Sequence, residues 1–135
     1  MRLVLDTNVL IAAFVARGVC HEVLEHCARR HGLVTSDKTM GEFEEKLLNK
    51  FKVPHKEVRQ AIDLLSSQMQ SVTPKPLAVP VCRDADDDWV LATAAVGECA
   101  CIVTGDKDLL VLESFQNTII LAPAAFWAYE AAHSS

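Results

Sequence analysis

Long apolar runs are missing from this chain. No stretch approaches the ~20 residues that a helix needs to cross a bilayer. The N-terminus lacks a basic region ahead of its apolar start and carries Asp6, so it is not expected to be a signal peptide. Positive charge is also scarce: 13 Lys and Arg against 18 Asp and Glu leave a formal net charge of −5. Nucleic-acid binders are more often basic, because they must neutralise phosphates. The deficit argues only mildly against such a partner, since acids gathered around a metal would produce it as well. Cysteine occurs five times, but no pair has a finger or ribbon spacing. Cys99 and Cys101 lead into a buried run and read as small core residues of a reduced protein. Cys20, His21, His26 and Cys27 lie close enough to suggest zinc, but helical phase puts Cys20, Val23, Leu24 and Cys27 on one apolar face and argues against it. Internal repeats and low-complexity segments are absent too. The expectation is a soluble cytoplasmic protein, with one domain over residues 1–135 and no membrane contact.

Half of the residues are apolar, enough for a full core. Residues 2–5 read as a short buried strand, and Asp6 or Thr7 can cap a helix from Asn8 to about Ala16. Helical spacing covers 20–30, and Leu33-Val34-Thr35 is a second strand. Ser36 or Asp37 starts a helix to about Asn49, with Met40, Phe43, Leu47 and Leu48 inward. Pro54 opens the next, whose apolar face is Val58, Ala61, Ile62, Leu65 and Met69. The prolines at 74, 76 and 80 make an extended connection. An alanine-rich helix with Val90, Leu91, Ala94 and Ala95 is apolar nearly all round, and so packs closely on a sheet; Gly97 ends it. Strands at 100–104 and 118–121 follow, then a last helix after Pro123. Alternating strands and helices predict a mostly parallel sheet with helices on both faces.

Two of these strands end abruptly in carboxylates: Leu3-Val4-Leu5-Asp6-Thr7-Asn8, and Ile102-Val103-Thr104-Gly105-Asp106-Lys107-Asp108. Ligands of open parallel sheets collect at the carboxyl ends of strands. Acids from two such ends can meet in one crevice, where they repel unless a cation or proton compensates. Each acid also has an ordinary explanation. Asp6 can be a helix cap, Glu42 a surface partner of Lys46, and Asp106 and Asp108 parts of a turn. Asp84, Asp86, Asp87 and Asp88 can complement a helix dipole at ~0.3–1 kcal/mol each. One capping acid is enough for a helix start, however, and four acids in five residues repel one another. Phase aligns Asp88 with Leu91, Ala92 and Ala95, an inward position costly for an unpaired carboxylate; Asp87 aligns with Val90, Leu91 and Ala94 and is not excluded. All-oxygen donors favour Mg²⁺ or Mn²⁺ over zinc, and no helix-loop-helix calcium pattern is present.

Four segments together carry a resemblance. Leu5-Asp6-Thr7-Asn8-Val9-Leu10, Thr35-Ser36 with Glu42, Cys82 to Asp88 with Leu91-Ala92-Thr93-Ala94, and Val103 to Leu110 resemble, in order, the motifs of the PIN-domain nucleases. Within them the chain is most similar to the VapC-like toxin components of bacterial and archaeal toxin–antitoxin pairs. The resemblance implies a three-layer α/β/α sandwich and a Mg²⁺- or Mn²⁺-dependent endoribonuclease. It places Asp6, Glu42, Asp88 and Asp106 on the family's metal-binding, catalytic acidic quartet, with Asn8 and Thr104 at supporting polar positions. Asp108 is an extra acid, and Asp84 and Asp87 are reserves for Asp88. RNA is the implied substrate, an antitoxin protein the implied partner, and a homodimer the implied assembly; Phe126, Trp127 and Tyr129 could serve a contact, though packing of a terminal helix explains them equally well. Arg17, Lys38, Lys46, Lys50, Lys52, Arg83 and Lys107 lie near the acidic motifs in sequence and are candidates for gripping substrate, although at least half should be solvated surface charges.

Other functions compete with this one. A haloacid-dehalogenase-type phosphatase also opens with an apolar strand and an Asp, but its chemistry needs a second Asp two positions on, where this chain has Asn8. A PIN-fold scaffold without efficient catalysis, or a nuclease for DNA, fits the same motifs.

Overall fold

The computed structural model describes residues 1–133. Six strands join one sheet in the order β3-β2-β1-β4-β6-β5. They are β1 (Arg2–Leu5), β2 (Gly32–Thr35), β3 (Met69–Ser71), β4 (Cys101–Val103), β5 (Ser114–Phe115) and β6 (Thr118–Leu121). All pairings are parallel except β5 with β6. The helices are α1 (Thr7–Val15), α2 (Val19–Arg30), α3 (Asp37–Asn49), α4 (His55–Gln68), α5 (Ala85–Val96), the single-turn α6 (Lys107–Leu110) and α7 (Phe126–His133). This is the α/β/α arrangement that the alternation of strands and helices predicted.

The central strands are buried on both faces, and their side chains alternate between two cores. Leu3, Leu5, Leu33, Cys101 and Val103 point to one side, where they meet α1 to α4 and Phe126 of α7. Val4, Val34, Ile102 and Ile120 point to the other, where Val90, Leu91 and Ala94 of α5 and Leu109 of α6 cover them. Burial pushes the Cys27 and Cys101 thiols up to about 12, as fits cysteines that serve as apolar filling.

The edge strand β3, the single-turn α6 and the two-residue β5 were not expected from the sequence. Met69 does not continue the face of α4; it opens the edge strand β3, with Leu33 as its register partner. Gly97 ends α5 as expected, and Glu98 follows it in the left-handed region, at φ 52°. Gly97 is needed for space: a Cβ there would lie 2.9 Å from Val34 Cγ1 and 3.1 Å from Cys99 Sγ. That close approach seats α5 on the sheet and so sets the position of the acids at its N-terminus.

The C-terminal aromatics are used within the chain. Phe126 is fully buried, and Trp127 and Tyr129 pack against the same core. No single helix among the described residues is long and apolar enough to cross a membrane.

Candidate active site

β1 and β4 are neighbours in parallel, so both end at the same edge of the sheet. Asp6 leaves β1 and caps α1. Its Oδ1 accepts the Thr7 backbone N–H at 2.7 Å, and its backbone N–H donates to Val103 O at 3.0 Å. Thr104, just beyond β4, donates its hydroxyl to Asp6 Oδ2 at 2.7 Å and accepts the Asp106 N–H at 3.0 Å. Asp106 caps α6 by accepting the Asp108 N–H at 2.8 Å. Thus one buried hydroxyl links the acids of two strand ends that are a hundred residues apart in sequence.

From α5 it is Asp87 that the structure brings next to Asp106. Phase had favoured Asp88, but Asp88 turns away: its two oxygens accept the backbone N–H groups of Val81 and Cys82 at 3.1 and 2.8 Å, folding the proline-rich connection against the helix start. Asp87 is 7% exposed and shares its face with buried Val90, Leu91 and Ala94. The phase was ambiguous because α5 is buried nearly all round. The deciding factor lies outside the helix, in loop N–H groups that need acceptors. Asp84 is an exposed cap that accepts the Asp86 N–H at 2.9 Å.

Carboxylate oxygens of Asp87, Asp106 and Asp108 lie within 4.8 Å of one another. Burial, then the charge of nearby Asp106, which is close enough to share a proton, then Asp6 and Asp84, push the Asp87 carboxyl up to about 7. Asp6 is also raised, chiefly by burial. The hydrogen bonds from Thr104 and Thr7 oppose this, and the charges of Glu42 and Asp106 add to it. Glu42 therefore belongs to the same electrostatic cluster, entering it from α3, whose start is capped by Ser36 Oγ accepting the Thr39 N–H at 3.3 Å. Lys46 Nζ lies 3.9 Å from Glu42 and donates to Asn8 Oδ1 at 3.3 Å, so Asn8 holds the lysine at the rim.

The remaining candidates divide. Arg83 is drawn to the acids, donating to Asp108 Oδ1 at 2.9 Å. Lys107 is exposed at the start of α6. Lys38 lines a small crevice of about 230 Å³ with Thr7, Glu42, Asp86 and Trp89, and its Nζ sits 4.9 Å over the Trp89 ring. Arg17 is not brought to the acids; it lines an apolar groove between α1, α2 and α4. Sequence reasoning passed over Trp89, whose only visible signal was its position directly after the acidic run.

Among the described residues, no Lys, Arg or His is ion-paired to Asp6, Asp87 or Asp106. Converging carboxylates without a cationic partner, offering oxygen donors alone, fit a hard divalent cation such as Mg²⁺ or Mn²⁺.

Fold and site together define an α/β sandwich with an acidic crevice at its carboxyl-terminal strand ends. The PIN-domain model matches residues 2–108, and the chain belongs to that family. Several solved structures share the fold, three of them as follows. One is VapBC2 from Rickettsia felis bound to a DNA fragment from its promoter (TM-score 0.61, 16% identity, 89% of this chain and 97% of that one). Another is VapBC-1 from nontypeable Haemophilus influenzae (TM-score 0.64, 18% identity, 92% and 99%). The third is FitAcB from Neisseria gonorrhoeae (TM-score 0.61, 18% identity, 90% and 98%). A search of curated proteins found no match.

Proposed function

We propose that the chain is a divalent-metal-dependent endoribonuclease that hydrolyses RNA phosphodiester bonds and is the toxin of a toxin–antitoxin pair. The observation that carries this reading is the convergence of Asp87, Asp106 and Asp108 within 4.8 Å beside buried Asp6, where burial first and the charge of Asp106 second push the Asp87 carboxyl up to about 7. Carboxylates held together at that cost suit a cation site, and Asp6, Asp87 and Asp106, with Glu42 from the side, would hold the ion. When bound, Mg²⁺ or Mn²⁺ supplies positive charge for the scissile phosphate and lowers the pKa of water.

The protein's part is placement. The Thr7 N–H and the Thr104 hydroxyl fix both oxygens of Asp6, and the Asp108 N–H fixes Asp106. Lys38 and Lys46 give the acidic hole a cationic edge, suited to the flanking phosphates of a strand. With water as nucleophile, the products carry a 5′-phosphate and a 3′-hydroxyl.

The partner part of the reading rests on the groove between α1, α2 and α4. It measures about 650 Å³ and is lined by Leu10, Phe14, Leu24, Ala28, Leu64 and Leu65. Phe14 is 41% and Leu64 59% exposed there, an apolar surface suited to an amphipathic segment of an antitoxin. A homodimer belongs to the same reading, and sedimentation of the isolated chain measures it.

The test is cleavage of single-stranded RNA and DNA with Mg²⁺, Mn²⁺ or EDTA, beside Asp6→Asn and Asp106→Asn. Metal-dependent RNA cleavage that both variants lose supports the proposal. Equal inactivity of wild type and variants across varied RNAs would overturn it in favour of a scaffold. A 2′,3′-cyclic phosphate product would overturn the mechanism.

A further inference from the structure

We propose that His26, His31 and Glu130 form a second metal site, a Zn²⁺ clip that ties the end of α2 to α7. It is separate from the acidic crevice in both place and chemistry. Both imidazole Nε2 atoms lie 2.6 Å from the same oxygen, Glu130 Oε2. One donor atom from each of the three residues falls within 4.8 Å of the others. Glu130 comes from 104 residues beyond His26 and 99 beyond His31, so the fold rather than local sequence builds the trio.

Two imidazoles and one carboxylate form a donor set for a borderline ion such as Zn²⁺, not for Mg²⁺. Donors on a tetrahedral zinc, with bonds of about 2.0–2.2 Å, stand roughly 3.3 Å apart. Each of the two His–Glu130 pairs, now at 2.6 Å, must therefore open by about 0.7 Å. The rings are already held in place. Trp127 packs edge-on against His26 at 5.0 Å, and Phe126 lies 6.3 and 6.1 Å from the His26 and His31 rings. The Met1 amine sits 3.3 Å from Nδ1 of His31, whose Nε2 faces Glu130. Outer contacts of this kind orient metal-binding histidines. Coordination through Nε2 puts the ring proton on Nδ1, so the Met1 ammonium must either release a proton or leave the contact when Zn²⁺ binds. The side chains are 24%, 11% and 20% exposed, open enough for the ion to enter and for water to fill a fourth position.

His21 and Cys27 take no part. His21 is engaged with Ala13 O and Glu25, and Cys27 is sealed in the core. His26 groups with His31 and Glu130 rather than with Cys20, His21 and Cys27.

The test uses the untagged full chain, stripped with EDTA and returned to buffer with millimolar Mg²⁺. Zn²⁺ is titrated in competition with a chromophoric chelator near pH 7.5. The expected result is one Zn²⁺ per chain with Kd below about 1 µM, weakened roughly 10–100-fold by His26→Gln, His31→Gln or Glu130→Gln. Asp87→Asn with Asp106→Asn should leave that affinity unchanged. Co²⁺ added to wild type should give the intense visible bands of a low-coordinate site, a readout that does not depend on any variant folding. Binding weaker than about 100 µM, indifference to all three substitutions, or loss in the Asp87/Asp106 variant would each overturn the proposal and leave an ion-pair cluster only.

Discussion

The Thr104 hydroxyl donates to Asp6 Oδ2 at 2.7 Å while accepting the Asp106 N–H at 3.0 Å. It is fully buried, so no water substitutes for either bond. The pair joins β1 to the loop after β4, and so converts strand adjacency into adjacency of carboxylates.

Removing that hydroxyl while keeping the shape of the side chain isolates its role. Thr104→Val should cost about 1–3 kcal/mol of stability, because a buried acceptor and a buried donor both lose their partner. It should also weaken Mg²⁺ binding about 10–100-fold, as loss of an outer-shell partner does. Thr104→Ser should restore most of both. Urea denaturation and metal titration of the two variants check this; equal losses in Val and Ser would mean that packing, not the hydroxyl, matters.

Asp87 and Asp88 are neighbours in different surroundings, Asp87 beside Asp106 and Asp88 on the Val81 and Cys82 N–H groups, and substitution should separate them. Asp87→Asn should lower RNA cleavage by at least 100-fold and leave the fold intact, or stabilise it slightly by relieving repulsion. Asp88→Asn should leave cleavage within about tenfold, but lower stability by about 1–2 kcal/mol by weakening the acceptor for Val81 and Cys82. Turnover and thermal melts of both variants decide the matter; the reverse pattern would restore Asp88 to the site.

The raised acids set a pH dependence whose sign is unusual for carboxylates. Asp87 titrates at about 7 when folded against an ordinary 3.8, so the folded chain holds a proton that the unfolded chain has lost. Stability without metal should therefore fall as pH rises from about 4 to about 7, with Asp6 acting in the same direction. At face value a shift of that size corresponds to about 4 kcal/mol, and screening at an open crevice should reduce it to about 1–2 kcal/mol. On the proposed function Mg²⁺ takes the deprotonated acids, so its addition should flatten or reverse the slope. Urea midpoints at pH 5 and pH 7.5, in EDTA and in Mg²⁺, measure it. A midpoint in EDTA that rises with pH, or an unchanged slope in Asp87→Asn, would contradict the assignment.

The legible parts of the molecule are those written in local pattern. The three central strands read as short apolar runs, and Asp6 and Asp106 read as acids at strand ends because strand and cap are contiguous. Strand β3 was hidden because Met69 continues the apolar stripe of α4 and only its pairing with β2 makes it a strand. Glu42 lies on a solvent-facing stretch of α3 with Lys46 one turn on, and only the family resemblance marked it. The choice of Asp87 over Asp88 depended on loop N–H groups, and the trio of His26, His31 and Glu130 on contacts about a hundred residues long. Neither leaves a periodic trace.

Trp89 is the residue through which the crevice should grip a base. It lies one position beyond the acids on the first turns of α5, half-buried, with the Lys38 ammonium 4.9 Å over its ring. An aromatic face beside a cationic edge is what an unpaired base and its phosphate require, and such stacking is worth about 1–3 kcal/mol per base. Lys38 occupies that face when no strand is bound, so substrate entry must displace the ammonium toward the phosphate backbone. Trp89→Ala should therefore raise KM for single-stranded RNA by about 5–100-fold with kcat little changed. Trp89→Phe should recover most of the loss, whereas Lys38→Ala should reduce the salt dependence of KM by about one charge. If Trp89→Ala instead lowered kcat at unchanged KM, the ring would be positioning Asp87 and Asp88 at the start of α5 rather than meeting the substrate.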